Sequence, residues 1–154
     1  MRVMGVRRSQ GPPPLPFIEL RADLEALMAE TDHLVVCAPL TPATVHIING
    51  ASLAAAKPGL HLINVARGPL VDHDALLAAL DAGRLRKATL DVTDPEPLPE
   101  GHPLYTHPAV RLTPHIAWYS GTHFDRLAAQ LLANLDRYAR GEPLADVVDP
   151  AAGY

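Results

Sequence analysis

Three polar residues each close a short apolar run in this chain: Arg67 in LINVARGPLVD, Glu96 in LDVTDPEPLP and His115 in VRLTPHIAW. A guanidinium, a carboxylate and an imidazole are the groups needed to bind an anionic substrate and move a proton. The guanidinium is permanently charged and forks onto carboxylates. The imidazole titrates near neutrality and suits a general acid. A carboxylate beside it orients the ring and favours its protonated form. Reduction of a 2-oxo acid uses such a set: a cation on the carboxylate and ketone, and an acid that protonates the oxygen as hydride reaches carbon. One Arg, Glu or His at a loop is by itself an ordinary surface or capping residue; three together, each after its own apolar run, carry the reading.

Such groups converge if the runs are parallel strands, because an open α/β sheet places its ligands at the carboxyl ends of its strands. The sequence predicts strands over 1–6, 33–40, 60–65, 87–92 and 109–113. Helices are expected over 20–30, 51–57, from an N-cap at Asp72 to Gly83, and from about 122 to 140, where Phe124, Leu127, Leu131, Leu132, Leu135 and Tyr138 recur at helical spacing. GPPPLP at 11–16 reads as a stiff loop, and Asn49-Gly50 as a turn. The strands are continuous apolar runs, as in a parallel sheet covered on both faces. The expected fold class is therefore α/β, a doubly wound parallel sheet of Rossmann type. Cys37 is expected to pack inside its strand, and His102 and His107 to be exposed. Trp118 and Tyr119 either line the crevice or pack beneath the last helix.

Composition narrows the function classes. The 154 residues suffice for one domain with a real core, and 48% hydrophobic with 19% charged residues is ordinary for a globular protein. A net charge of −4 argues against a nucleic-acid surface and against binding to anionic membranes. No apolar run approaches the ~20 residues of a membrane span, and the basic MRVMGVRRSQG start has no apolar signal segment. A single cysteine, Cys37, excludes an intramolecular disulfide and fits a reducing cytoplasm. His33, His46, His61 and His73 lack ligand-like spacing, so no metal is expected.

The segments NVARGPLVD, LDVTDPEPLP and TPHIAW resemble the signature segments of the D-isomer-specific 2-hydroxyacid dehydrogenases. The resemblance continues through APLTPAT, NGASLAAAKPG and the last helix with its GEP tail. It implies NAD(P)-dependent interconversion of a small 2-oxo acid and a D-2-hydroxy acid, glyoxylate or hydroxypyruvate being the type. It implies roles for single residues as well: Arg67 on the substrate carboxylate and carbonyl, His115 as acid/base, and Glu96, five after Asp91, as its partner. Asp91 matches the aspartate that contacts the nicotinamide carboxamide, and Pro39, Thr44 and Ala66 match positions lining the cofactor, as do Arg67 and His115. A homodimer is implied too.

Arg7, Arg8 and Ser9 stand where the second strand of a dinucleotide fold would end. An acid there would favour NAD; two guanidiniums and a hydroxyl suit a 2′-phosphate, so NADP(H) is the expected cofactor, with NAD(H) the alternative. Such a fold also needs Gly-x-Gly-x-x-Gly at its first strand-to-helix turn, yet no two of the ten glycines here are two residues apart. The expectation is an N-terminally truncated arrangement. Residues 1–120 form a partial NAD(P)-binding domain, and residues 121–154 a helix and tail that in the family return to the substrate domain. The sheet should lack a central strand, and Leu127, Leu131 and Leu135 part of their packing. Alternatives to an active enzyme are an inactive fragment, a half-enzyme completed by a separate N-terminal piece, and a nucleotide-sensing module.

Overall fold

The strands form two parallel sheets. In this computed structural model, which describes residues 1–8, 11–13 and 15–150, β1 (Val3–Gly5) pairs with β2 (Ile18–Leu20). The second sheet has the order β3-β4-β5-β6, comprising His33–Val36, Leu60–Asn64, Leu85–Leu90 and Val110–Leu112. All its pairings are parallel, and helices or turns lie between successive strands. This is the α/β arrangement expected, with the chain passing from the first sheet to the second between β2 and β3.

Short side-chain caps fix where the helices begin. Asp23 accepts from the Ala26 amide at 2.8 Å and starts α1 (Leu24–Glu30). Asn49 and Ser52 form a reciprocal capping box for α2 (Gly50–Ala54). Asp72 accepts from the amides of Asp74 and Ala75 and starts α3 (His73–Asp81), as its type predicted. The cap at Asp23 also corrects the expected helix over 20–30: Leu20 ends β2, and its three-residue strand pairs with β1 instead. A run this short beside a capped helix has no period of its own to announce it.

The core lies on one face of the four-stranded sheet. Leu34, Val36, Leu60, Leu62, Ala88 and Leu90 point into it and meet Met28, Leu53, Leu76 and Leu80 of the helices. The opposite face is open. His33, Val35 and Arg111 are exposed there, and His61, Ile63, Lys87 and Thr89 are half-buried. Two-sided coverage was expected from the continuous apolar runs; β3 instead alternates exposed and buried. Across this open face the Nδ1 atoms of His33 and His61 lie 3.2 Å apart, and His61 Nε2 lies 2.9 Å from Thr89 Oγ1. Cys37 is exposed just beyond β3, not packed within it. His107 is half-buried against Asp81, at 3.2 Å, because its ring also accepts the Ala109 amide and closes the turn into β6.

Contacts divide the chain into Met1–Pro114 and His115–Tyr154. The second unit is dominated by α4 (His123–Ala139), none of whose residues is buried. Its apolar stripe is present as predicted, with Leu127, Leu131 and Leu135 all more than half exposed. Trp118 stacks edge-on against His123 at the first turn of α4, with ring centroids 4.8 Å apart. The tail returns along the same helix, where Asn134 bonds the Ala145 amide and carbonyl. Among the described residues no helix is long and apolar enough to cross a membrane, and no three His, Cys, Asp or Glu gather as a metal site.

Candidate active site

The polar residues singled out in the sequence follow strand ends. β4 finishes at Asn64, and Arg67 stands three residues on, extended and exposed, as the cap of a 3-10 turn over Gly68–Leu70. The Arg67 guanidinium donates from Nη1 to the Ala66 carbonyl at 2.7 Å. Asn64 closes the loop beneath it: Nδ2 donates to the Arg67 carbonyl at 2.9 Å, and Oδ1 accepts the Ala66 amide at 3.1 Å.

Asp91 directly follows β5 and is buried. Its amide donates to the Asn64 carbonyl at 2.9 Å. Its Oδ1 accepts the hydroxyl of Thr113, whose own amide donates to Leu90 at 3.0 Å. One carboxylate thus joins the ends of β5 and β6. The loop then leads to Glu96, which is exposed and lies between two cis prolyl bonds. Glu96 Oε2 accepts the Thr93 amide at 3.4 Å.

Gly68 brings the two loops together. It is buried, and a Cβ at this position would stand 1.9 Å from the Thr93 carbonyl oxygen and 2.8 Å from the Asp94 nitrogen. Nothing larger than hydrogen fits between these backbones. Asn64, Gly68 and Thr113 are site-shaping residues that the sequence reading missed. The available signals were a lone amide ending an otherwise apolar strand, and a glycine directly after Arg67.

After β3, the Thr44 hydroxyl donates to the Pro39 carbonyl at 2.7 Å and accepts the Thr41 amide at 2.7 Å, closing that loop on itself. At the end of β1, Arg7 Nη2 donates to the carbonyls of Gly11 and Pro12, at 2.7 and 2.6 Å. Arg7 Nε is buried without a hydrogen-bond partner, and Arg8 beside it is exposed. Ser9 lies outside the described residues.

His115 opens the second unit. It is exposed, with φ of 54°, a left-handed backbone that a β-carbon disfavours. Its carbonyl accepts the Trp118 indole N–H at 2.8 Å. Side chains held in this region concentrate at functional sites. The first unit therefore holds Arg67, Ala66, Asp91, Glu96, Pro39 and Thr44, and the second holds His115.

Comparison with known proteins gives the site a context. Residues 1–117 match the family model described as "D-isomer specific 2-hydroxyacid dehydrogenase, NAD binding domain". The chain is 40% identical over 134 residues to glyoxylate/hydroxypyruvate reductase A of Salmonella newport, covering 87% of this chain and 42% of that relative. It is similar to a D-isomer specific 2-hydroxyacid dehydrogenase from Xanthobacter autotrophicus Py2 solved with NADPH and MES, with TM-score 0.88 and 40% identity, over 99% of this chain and 63% of that one. An NADPH-dependent glyoxylate/hydroxypyruvate reductase from Sinorhizobium meliloti, solved with NADP and sulfate, matches at TM-score 0.88 and 34% identity, over 99% of this chain and 49% of that one. The chain thus spans less than half the length of the curated relative it matches.

Proposed function

The chain belongs to the D-isomer specific 2-hydroxyacid dehydrogenase family, and on that premise we propose that it carries the substrate-binding and proton-transfer groups for NADP(H)-dependent reduction of a small 2-oxo acid. The observation that carries the reading is the corner built by Asn64, Gly68 and Asp91. It holds an exposed guanidinium at one strand end and a buried carboxylate at the next. Arg67 binds the substrate carboxylate and polarises its ketone. His115, as imidazolium, gives its proton to the carbonyl oxygen and takes it back in the reverse direction. By the family resemblance, Glu96 is the residue assigned to orient the His115 ring. The names of the Salmonella and Sinorhizobium relatives favour glyoxylate and hydroxypyruvate as substrates.

The residues present fit NADP(H) at its two ends. Arg7, with a buried Nε lacking a partner, and Arg8 suit an adenosine 2′-phosphate. The Pro39–Thr44 loop, Ala66 and Asp91 suit the nicotinamide end. Bound there, the cofactor supplies the hydride. The Xanthobacter and Sinorhizobium structures were solved with NADPH and NADP, which supports the phosphorylated form. A single exposed cysteine fits work in a reducing cytoplasm.

A second reading is a site that works only with a glycine-loop segment beside it: these residues hold no Gly-x-Gly pair, and their strands form two separate sheets. One assay separates the two. The purified chain, given NADPH and glyoxylate or hydroxypyruvate, should oxidise the cofactor, and Arg67→Gln should lower kcat/KM about a hundredfold. Turnover that appears only when a separately made glycine-loop segment is added would assign the second reading. NADH bound more tightly than NADPH would overturn the cofactor assignment.

A further inference from the structure

Asn64 is fully buried at the end of a strand whose other inward positions are Leu60 and Leu62. A buried amide is unfavourable unless its polar atoms are bonded. Here both are, and both partners belong to the segment that presents Arg67: the Ala66 amide and the Arg67 carbonyl. The same residue's backbone carbonyl takes the Asp91 amide. Asn64 therefore joins two strand ends, its backbone carbonyl taking the Asp91 amide and its side-chain amide bonding the Arg67 loop.

We propose that Asn64 is a positioning residue, fixing the backbone from which Arg67 projects and registering that loop against Asp91. This rests on the reading of Arg67 as the ligand of the substrate anion. Only an amide meets the demand, since a donor and an acceptor are needed on one short, rigid side chain. Aspartate would still accept the Ala66 amide but would set an acceptor against the Arg67 carbonyl. Alanine would free both groups, and leucine would fill the space while orphaning them.

The test uses the full chain, with oxalate as an unreactive mimic of a 2-oxo acid. Asn64→Asp should weaken oxalate binding about tenfold. In an Arg67→Gln background the same change should alter affinity by less than about twofold, because the effect passes through Arg67. Equal losses in both backgrounds would show a merely structural role and overturn the proposal. Amide exchange gives an independent readout. Asn64→Ala should speed exchange at Ala66 about tenfold and leave Leu60 to Ile63 protected; an unchanged Ala66, or loosening spread along β4, overturns it. Should Asn64→Ala fail to fold, the Arg67 carbonyl carbon shift in Asn64→Asp replaces it: a moved resonance supports the contact and an unmoved one overturns it. If the parent chain binds no oxalate, the reading of Arg67 fails, and the fate of Asn64 is decided by the exchange and carbon-shift results.

Discussion

The loops after β4 and β5 and the surface of α4 treat their side chains in opposite ways. At the strand ends a fully buried asparagine and a buried aspartate have found hydrogen-bond partners, and two backbones approach so closely that only a glycine separates them. Along α4, by contrast, leucines at regular helical spacing face outward, and no residue is buried. Polar groups are costly to bury and so need a complete local solution within the folded segment. An apolar stripe demands only a matching surface, which nothing in its own sequence supplies. The difference teaches that the Arg67 loop is preorganised by the Asn64 side chain and by its close approach to the Thr93 backbone, whereas α4 shows a backbone ladder and bonds to the returning tail.

The sharpest way to break the first half of that contrast is Gly68→Ala. The atoms its Cβ would strike belong to the Thr93 and Asp94 backbone, not to a flexible side chain. One loop must therefore move. The expected loss is about 3 kcal/mol in urea unfolding, with oxalate affinity falling as Arg67 shifts. Gly50→Ala is the control: it lies in α2 with open space around it, and alanine there should raise stability by up to about 1 kcal/mol. Equal behaviour of the two variants would show that the loops are not in close contact.

Much of this architecture was legible in the sequence, for identifiable reasons. The strands expected over 60–65 and 87–92, observed as Leu60–Asn64 and Leu85–Leu90, and the cap at Asp72 follow from local signals: an apolar run, a turn, an N-cap residue. Arg67, Glu96 and His115 stood out because charge follows an apolar run. Asn64 did not, because an amide inside a strand motif has no period or spacing, and its role appears only when its partners are folded around it. Gly68 hid for the same reason, since close approach is a tertiary fact. β2 was lost inside an expected helix because three residues carry too little pattern. The exposure of His33 and Val35 was not legible, because an apolar run records that a strand tolerates burial on both sides, not how far each side is covered.

A smaller effect is expected where the buried region departs from its own rule. His73 is buried at the start of α3, and neither ring nitrogen has a partner. Burial lowers its pKa, nearby His102 lowers it further, and Asp94, Asp72 and Asp74 oppose the shift. A base whose folded pKa is depressed contributes its stability fully above the free value of about 6.5 and loses it as pH falls through the folded value. His73→Leu should therefore add about 1 kcal/mol at pH 7 by removing unpaired polar atoms, and should flatten the decline in stability below about pH 6.5. Part of the decline should remain, because burial also lowers the His61 pKa, with His33 adding to the effect. An unchanged slope would mean that the His73 ring is hydrated in solution.

The smallest effect is expected on α4, and it tests the other half of the contrast. Leu127, Leu131 and Leu135 are each more than half exposed, so exchanging any one for glutamine removes little area from contact. Glutamine also matches leucine closely in helix propensity, so the backbone ladder should be unaffected. Each change should alter unfolding free energy by less than about 0.5 kcal/mol. The triple variant should bind less of a hydrophobic dye, as its exposed apolar stripe is gone. A loss of about 2 kcal/mol from a single change would be the signature of a buried leucine. It would mean that α4 meets an apolar surface in solution, and the stripe would then be as fully satisfied as the loops that hold Arg67.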